Sequence, residues 1–132
     1  MRLLLDTNVV VWLLLGQRRS IPPDVADALA KPSSAVLVSA TSVWEIAIKR
    51  SLGKLAIGES WHRVLMRLDL EHLPISAEHA AGVGLLPWHH RDPFDRLLVA
   101  QALAEDCLLV TADRTLDAYP PPTWWGGPVP ER

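Results

Sequence analysis

The chain has 132 residues, with 13 Lys and Arg against 15 Asp and Glu and a formal net charge of −2. Its 49 % hydrophobic and 21 % charged residues exclude a disordered or collagen-like chain, and a single cysteine, Cys107, excludes an internal disulfide scaffold. The pI of about 6.2 argues against a nucleic-acid binder, an inference that holds only if the acids are spread evenly.

One domain over residues 1–132 is the expectation for this length. The apolar N-terminus is interrupted by Asp6 and Asn8. Its longest run, Val9 to Leu15, is seven residues, against about 20 for a bilayer span. No membrane association is expected, and the compartment expected is the cytoplasm.

In chain order, Leu3-Leu4-Leu5 predicts a buried strand that stops at Asp6. Val9 to Leu15 predicts a buried helix ended by Gly16, and residues 17–20 a polar loop. Asp24 to Lys31 predicts a helix with Val25, Ala28 and Leu29 on one face, broken at Pro32. Val36 to Val38 predicts a second strand, after which Ser39 or Thr41 caps a helix to about Leu52. Val43, Trp44, Ile46, Ala47, Ile48 and Leu52 make that helix apolar nearly all round, which predicts burial.

Trp61 to Leu70 predicts a helix, Leu73 to Ile75 an extended piece, and Ala77 to Leu86 a helix capped by Ser76. Trp88 to Arg91 is a loop. Asp92, followed by Pro93, caps the clearest helix of the chain, which runs to about Glu105. Cys107 to Val110 predicts a third strand, and Leu116 to Tyr119 a brief helical turn. The proline-rich tail 120–132 has room only for a short edge strand around Thr123-Trp124-Trp125. Trp12, Trp44 and Trp61 fall on helices as core or dimer contacts. Strands alternating with helices predict an α/β fold, a mostly parallel sheet with helices on both faces. Ligands of such folds bind at the carboxyl ends of the strands.

Four acids fall near those ends. Asp6 follows the first strand, Asp113 lies past the third, Glu45 is on the helix leaving the second, and Asp95 is in the first turn of the longest helix. Each also has a plain structural reading. Asp6, Asp92 and Asp113 suit helix caps. Asp95 suits a capping box or the helix dipole. Glu45 stands four residues before Lys49, the spacing of a helical ion pair. Against this, Asp6 and Glu45 sit in apolar surroundings where a carboxylate is costly. Carboxylates sharing such a site either gain protons or are held ionised by a cation. An all-oxygen set selects a hard one, Mg²⁺ or Mn²⁺, and that combination suits phosphodiester hydrolysis.

LLLDTN with Asp6, VWEIAIK with Glu45, DPFDRLLVAQA with Asp95 and LLVTAD with Asp113 resemble, in order and spacing, the PIN-domain ribonucleases, and within them the VapC-type toxins of bacterial toxin–antitoxin pairs. The resemblance implies a three-layer α/β/α sandwich and an acidic pocket for one or two Mg²⁺ or Mn²⁺ ions. It implies Asp6, Glu45, Asp95 and Asp113 as catalytic, metal-binding acids. Asp92 is expected as a capping or supporting residue, and Thr7, Asn8 and Thr111 as groups that orient the acids. It further implies endoribonuclease activity, restraint by a cognate antitoxin, and a homodimer.

Arg91, Arg96, Arg114, Lys49 and Arg50 supply positive charge near these acids. Trp88, Arg91, Arg96 and Arg114 are the expected RNA contacts, an aromatic beside cations suiting base stacking and phosphate binding. His89 and His90 are adjacent and make a poor acid–base pair, so attack by the RNA's own 2′-hydroxyl is not expected. A haloacid-dehalogenase-like phosphatase would need an acid where Asn8 stands, and a PIN-like module that only binds a partner usually lacks one of the acids. Without Asp6, Glu45, Asp95 and Asp113 the formal charge of −2 becomes +2. The acidic pI therefore describes the pocket more than the surface around it.

Overall fold

The computed structural model describes residues 1–130; Glu131 and Arg132, the end of the expected tail, lie outside the described residues. Five strands form one sheet: β1 (Arg2–Leu5), β2 (Ala35–Ser39), β3 (Glu71–Leu73), β4 (Leu108–Val110) and β5 (Thr123–Trp124). Their order is β3-β2-β1-β4-β5, and every pair is parallel. Among the described residues six α-helices accompany them: α1 (Thr7–Leu14), α2 (Pro23–Ala30), α3 (Ala40–Ser51), α4 (Trp61–Arg67), α5 (Ala77–Gly82) and α6 (Pro93–Ala104).

The alternation of side chains along a strand divides the core in two. Leu3, Leu5, Val36, Val38, Leu108 and Val110 face one way and pack with residues of α1, α2, α3 and α4. Leu4, Leu37 and Leu109 face the other way, against Leu98, Val99 and Ala102 of α6. Both faces of the sheet are covered, which is why its central strands read as unbroken apolar runs. The expected α/β/α sandwich is the observed one.

Several boundaries differ from expectation. α1 begins at Thr7, because the Asp6 carboxylate caps it by accepting from the Thr7 N–H. Residues expected as loop, Arg18–Ser20, form one 3₁₀ turn. α4 stops at Arg67, which frees Glu71–Leu73 to pair with β2 as an edge strand. Its exposed Glu71 and His72 gave no apolar alternation to read. α5 ends at Gly82 and gives way to a 3₁₀ turn, Val83–Leu85. The tail is seated: Trp124 is buried, and the Gly127 N–H donates to Asp24 of α2. α3 is not buried all round as its apolar residues predict, for Trp44 is 49 % exposed and Leu52, which follows the helix as its C-cap, also faces solvent. Trp44 instead meets Phe94 edge to face, with ring centroids 4.8 Å apart.

Candidate metal-binding active site

The sheet order places β1 beside β4, and the chain leaves β1 toward β2 but leaves β4 toward β5, in opposite directions across the sheet. The carboxyl ends of β1 and β4 therefore border the crevice where such sheets bind ligands. Asp6 follows β1 and Asp113 lies three residues past β4. Thr111 joins the two: its hydroxyl donates to Asp6 Oδ2 at 2.6 Å and accepts from the Asp113 N–H at 3.0 Å. Asp113 also caps the 3₁₀ turn Arg114–Ala118, accepting from the Thr115 N–H at 3.0 Å and hydroxyl at 2.7 Å.

Glu45 arrives on α3, whose start is set by Ser39 at the end of β2; the Ser39 hydroxyl accepts from the Thr41 N–H at 2.9 Å. Glu45 is 4 % exposed. Lys49 Nζ donates to its Oε2 at 2.6 Å, and its Oε1 is buried with no hydrogen-bond partner among the described residues. Thr7 and Ser42 share a hydroxyl–hydroxyl bond of 2.9 Å that ties α1 to α3. Asn8 is exposed and makes no hydrogen bond to the acids among the described residues.

Asp95 stands in the first turn of α6. Asp92 caps that helix, its Oδ1 accepting from the Phe94 and Asp95 N–H groups at 2.9 and 3.1 Å. Gln101 fixes α6 against the head of α3: its Oε1 accepts from the Ser39 and Thr41 hydroxyls, and its Nε2 donates to the Pro74 carbonyl at 3.2 Å. That buried network sets Asp95 relative to Glu45. A glutamine inside the apolar stretch LLVAQA was the available signal for it, and it went unread.

The four acids are coupled electrostatically. Burial pushes the Asp95 carboxyl up to about 8, with Asp6, Asp92, Glu45 and Asp113 adding repulsion. Burial likewise raises Asp6 above the usual carboxylate range, against the hydrogen bonds from Thr111 and Thr7, and Glu45 and Asp113 reinforce the rise. Asp113 goes the other way. Burial works to raise it, but the Thr115 hydrogen bonds and the nearby His90 outweigh that and hold it low. Lys49 is raised chiefly by its bond to Glu45, with Asp92 and Asp95 contributing.

One residue expected at the RNA surface is misplaced by that expectation. Arg96 is 1 % exposed. Its guanidinium donates to the carbonyls of Val83, Leu86 and Pro87 and to the Tyr119 hydroxyl, and it lies 3.7 Å from the centre of the Trp88 ring. Arg96 turns inward onto the chain that follows α5: the Val83 carbonyl, which also accepts from the Leu86 N–H in the 3₁₀ turn, and the Leu86 and Pro87 carbonyls beyond it. Arg91 and Arg114 are exposed, and Trp88 is 75 % exposed beyond the face that Arg96 covers. Trp44, expected as core or dimer contact, is half in solvent beside Glu45.

His90 was not expected here. Its Nε2 lies 3.3 Å from Asp95 Oδ2 and 3.7 Å from Asp113 Oδ2. His90, Asp95 and Asp113 each offer a ligand atom within 4.8 Å of the others. No periodic signal marks it, since His90 lies in a loop before the helix.

Among known families, the PIN domain model matches residues 3–120. No curated protein sequence matches the chain. Among solved structures, the chain is similar to VapBC2 from Rickettsia felis bound to a DNA fragment from its promoter, with 21 % identity, a TM-score of 0.72, and 94 % of this chain and 98 % of that one covered. It is similar to VapBC-1 from nontypeable Haemophilus influenzae at 20 % identity and TM-score 0.62, covering 86 % and 87 %. A toxin–antitoxin complex from Klebsiella pneumoniae matches at 20 % identity and TM-score 0.59, covering 87 % and 90 %. At these identities the likeness is one of fold. Among the described residues no helix is long and apolar enough to cross a membrane.

Proposed function

This chain belongs to the PIN domain family, a family of nucleases, and from that premise we propose that it is a divalent-metal-dependent endoribonuclease of the toxin type, restrained by a cognate antitoxin. The observation that carries the proposal is the state of Asp95. Its carboxyl is pushed up to about 8 by burial and by Asp6, Asp92, Glu45 and Asp113, while the nearby Glu45 Oε1 is buried without a partner. Such a cluster is unfavourable by itself and complete with a hard cation.

The donor set fits Mg²⁺ or Mn²⁺, because Asp6, Glu45, Asp95 and Asp113 offer only carboxylate oxygens. When bound, one or two such ions supply an activated water and neutralise charge on a phosphodiester. The protein's own groups do the placing. Thr111 holds Asp6 and Asp113 at adjacent strand ends. Lys49 pins one oxygen of Glu45 and leaves the other as the free ligand atom. Asp92 supports Asp95 from the cap of α6.

RNA contacts are assigned to Arg91 and Arg114 for phosphate and to the open face of Trp88 for a base. One of the solved structures similar to this chain is a toxin–antitoxin complex from Klebsiella pneumoniae, which supports an antitoxin partner here. A homodimer comes with the same resemblance.

The test is cleavage of structured RNA by the full chain with Mg²⁺ or Mn²⁺, with EDTA, and by Asp6→Asn. The proposal expects cutting only in the wild type with metal, leaving 5′-phosphate ends. Undiminished cutting in EDTA or by the variant overturns it. Metal binding without any cutting favours a module that acts by binding alone.

A further inference from the structure

Asp92 acts on the site twice. Its side chain caps α6, and its backbone N–H donates to His90 Nδ1 at 3.1 Å. A ring nitrogen that accepts a hydrogen bond carries no proton, so the ring N–H sits on Nε2. That Nε2–H is the atom facing Asp95 Oδ2 and Asp113 Oδ2 at 3.3 and 3.7 Å. The two carboxylates come from different elements, one from α6 and the other from the loop after β4.

The segment bearing His90 is held from beneath. Arg96 donates to the carbonyls of Val83, Leu86 and Pro87 and to the Tyr119 hydroxyl, which in turn donates to the His90 carbonyl at 3.5 Å. The His89 ring stands edge-on to Tyr119 at 5.2 Å. A buried cation and a phenol therefore fix the backbone of a residue that is itself only partly covered.

Resting on the metal-site reading above, we propose that His90 is a positioning residue: an imidazole that presents its N–H from Nε2, holds Asp95 and Asp113 as a pair toward the cation and does not ligate it. Distance alone would also admit His90 as a third ligand. The tautomer decides against that. To ligate through Nε2, the neutral ring would have to move its proton to Nδ1, where the Asp92 N–H already points. The ligand set then stays all-oxygen, and the site stays hard. A hydrogen-bond donor to ligating carboxylates fixes their orientation, and losing such a group typically costs about 10- to 100-fold in metal affinity.

Two measurements on the full-length chain test this. In ¹⁵N-labelled protein, ring ¹H–¹⁵N correlations, with the His90 signals identified by their loss in His90→Gln, report its tautomer before and after Mg²⁺ addition. Mn²⁺ affinity by electron paramagnetic resonance is then compared among wild type, His90→Ala and His90→Gln. The proposal expects an Nε2–H tautomer that persists with Mg²⁺. It expects binding about tenfold weaker in His90→Ala, and recovery to within about threefold in His90→Gln, whose amide N–H replaces the donor. A proton on Nδ1, loss of the Nε2 proton on Mg²⁺ addition, or wild-type affinity in His90→Ala overturns the role of His90 while leaving the metal site standing. Absence of Mn²⁺ binding by the wild type overturns the metal-site reading and this inference with it.

Discussion

Asp95 and Arg96 are neighbours on α6, and they carry their charges in opposite ways. Arg96 is fully buried and has three backbone carbonyls, a phenol and an indole face around its guanidinium. Asp95 is less buried, yet burial pushes its carboxyl up to about 8, and the carboxylates around it add to the rise. The cation has acceptors from the chain at both terminal nitrogens, with only its Nε buried and without a partner among the described residues, whereas the acid has four repelling carboxylates around it and His90 as its ion-pair neighbour. A buried charge surrounded by groups of complementary character is architecture, whereas one pressed among like charges is a candidate for a ligand.

That contrast is breakable by substitution. The largest effect is expected from Asp95→Asn, which removes a proposed ligand. RNA cleavage should fall on the order of a thousandfold, the scale of the several kcal/mol that a divalent ion contributes. The same change should raise the thermal midpoint of the metal-free protein by relieving repulsion among the acids. An inactive but less stable Asp95→Asn would show that Asp95 is structural after all. Next in size is Arg96→Ala, which leaves buried carbonyls unsatisfied and should cost about 3 kcal/mol in denaturant unfolding. A loss under about 1 kcal/mol would return Arg96 to the surface role expected from sequence.

The third effect is a pH slope. Asp95 and Asp6 titrate in the folded chain above their ordinary value of 3.8. Between that value and about 8 the folded state binds more protons than the unfolded, so stability is fully present below 3.8 and is lost as pH rises toward 8. Asp113, held low, acts in the opposite sense, but only as pH falls below 3.8. Thermal unfolding in EDTA should therefore show a falling midpoint from about pH 5.5 to about pH 8, and Asp95→Asn should flatten it. A midpoint that rises across this window contradicts the acid cluster. The smallest effect is expected from Trp88→Ala, which loses one exposed cation–π face, about 0.5–1 kcal/mol of stability. RNA affinity should drop more than that if a base stacks on Trp88, and equal affinity in a gel-shift titration would remove Trp88 from the RNA surface.

The same pair shows what could be read before folding. Asp6 and Asp113 were legible because apolar strands end next to them, and parallel strands bring their carboxyl ends together. Asp95 was legible because Asp92 and Pro93 announce the start of α6. Arg96 was misread because its burial depends on the carbonyls of Val83, Leu86 and Pro87 in the turn and loop after α5, backbone groups without a side-chain signature. His90 was missed because its meaning comes from the Asp92 N–H, a backbone group without a side-chain signature. The apolar count of α3 misled about Trp44, since it registers hydrophobic residues and not the direction each one faces. Polar Glu71 and His72 hid β3 for the same kind of reason: an edge strand needs only one covered face.

Completion of this acid cluster by a divalent cation is measured by calorimetric titration of the full chain with Mg²⁺ at about pH 7, in buffers of different ionisation enthalpy. With the Asp95 carboxyl pushed up to about 8 in the metal-free chain, the account predicts saturable binding that releases about one proton, and loss of both binding and release in Asp95→Asn. Absence of binding, or binding without proton release that persists in Asp95→Asn, would contradict it.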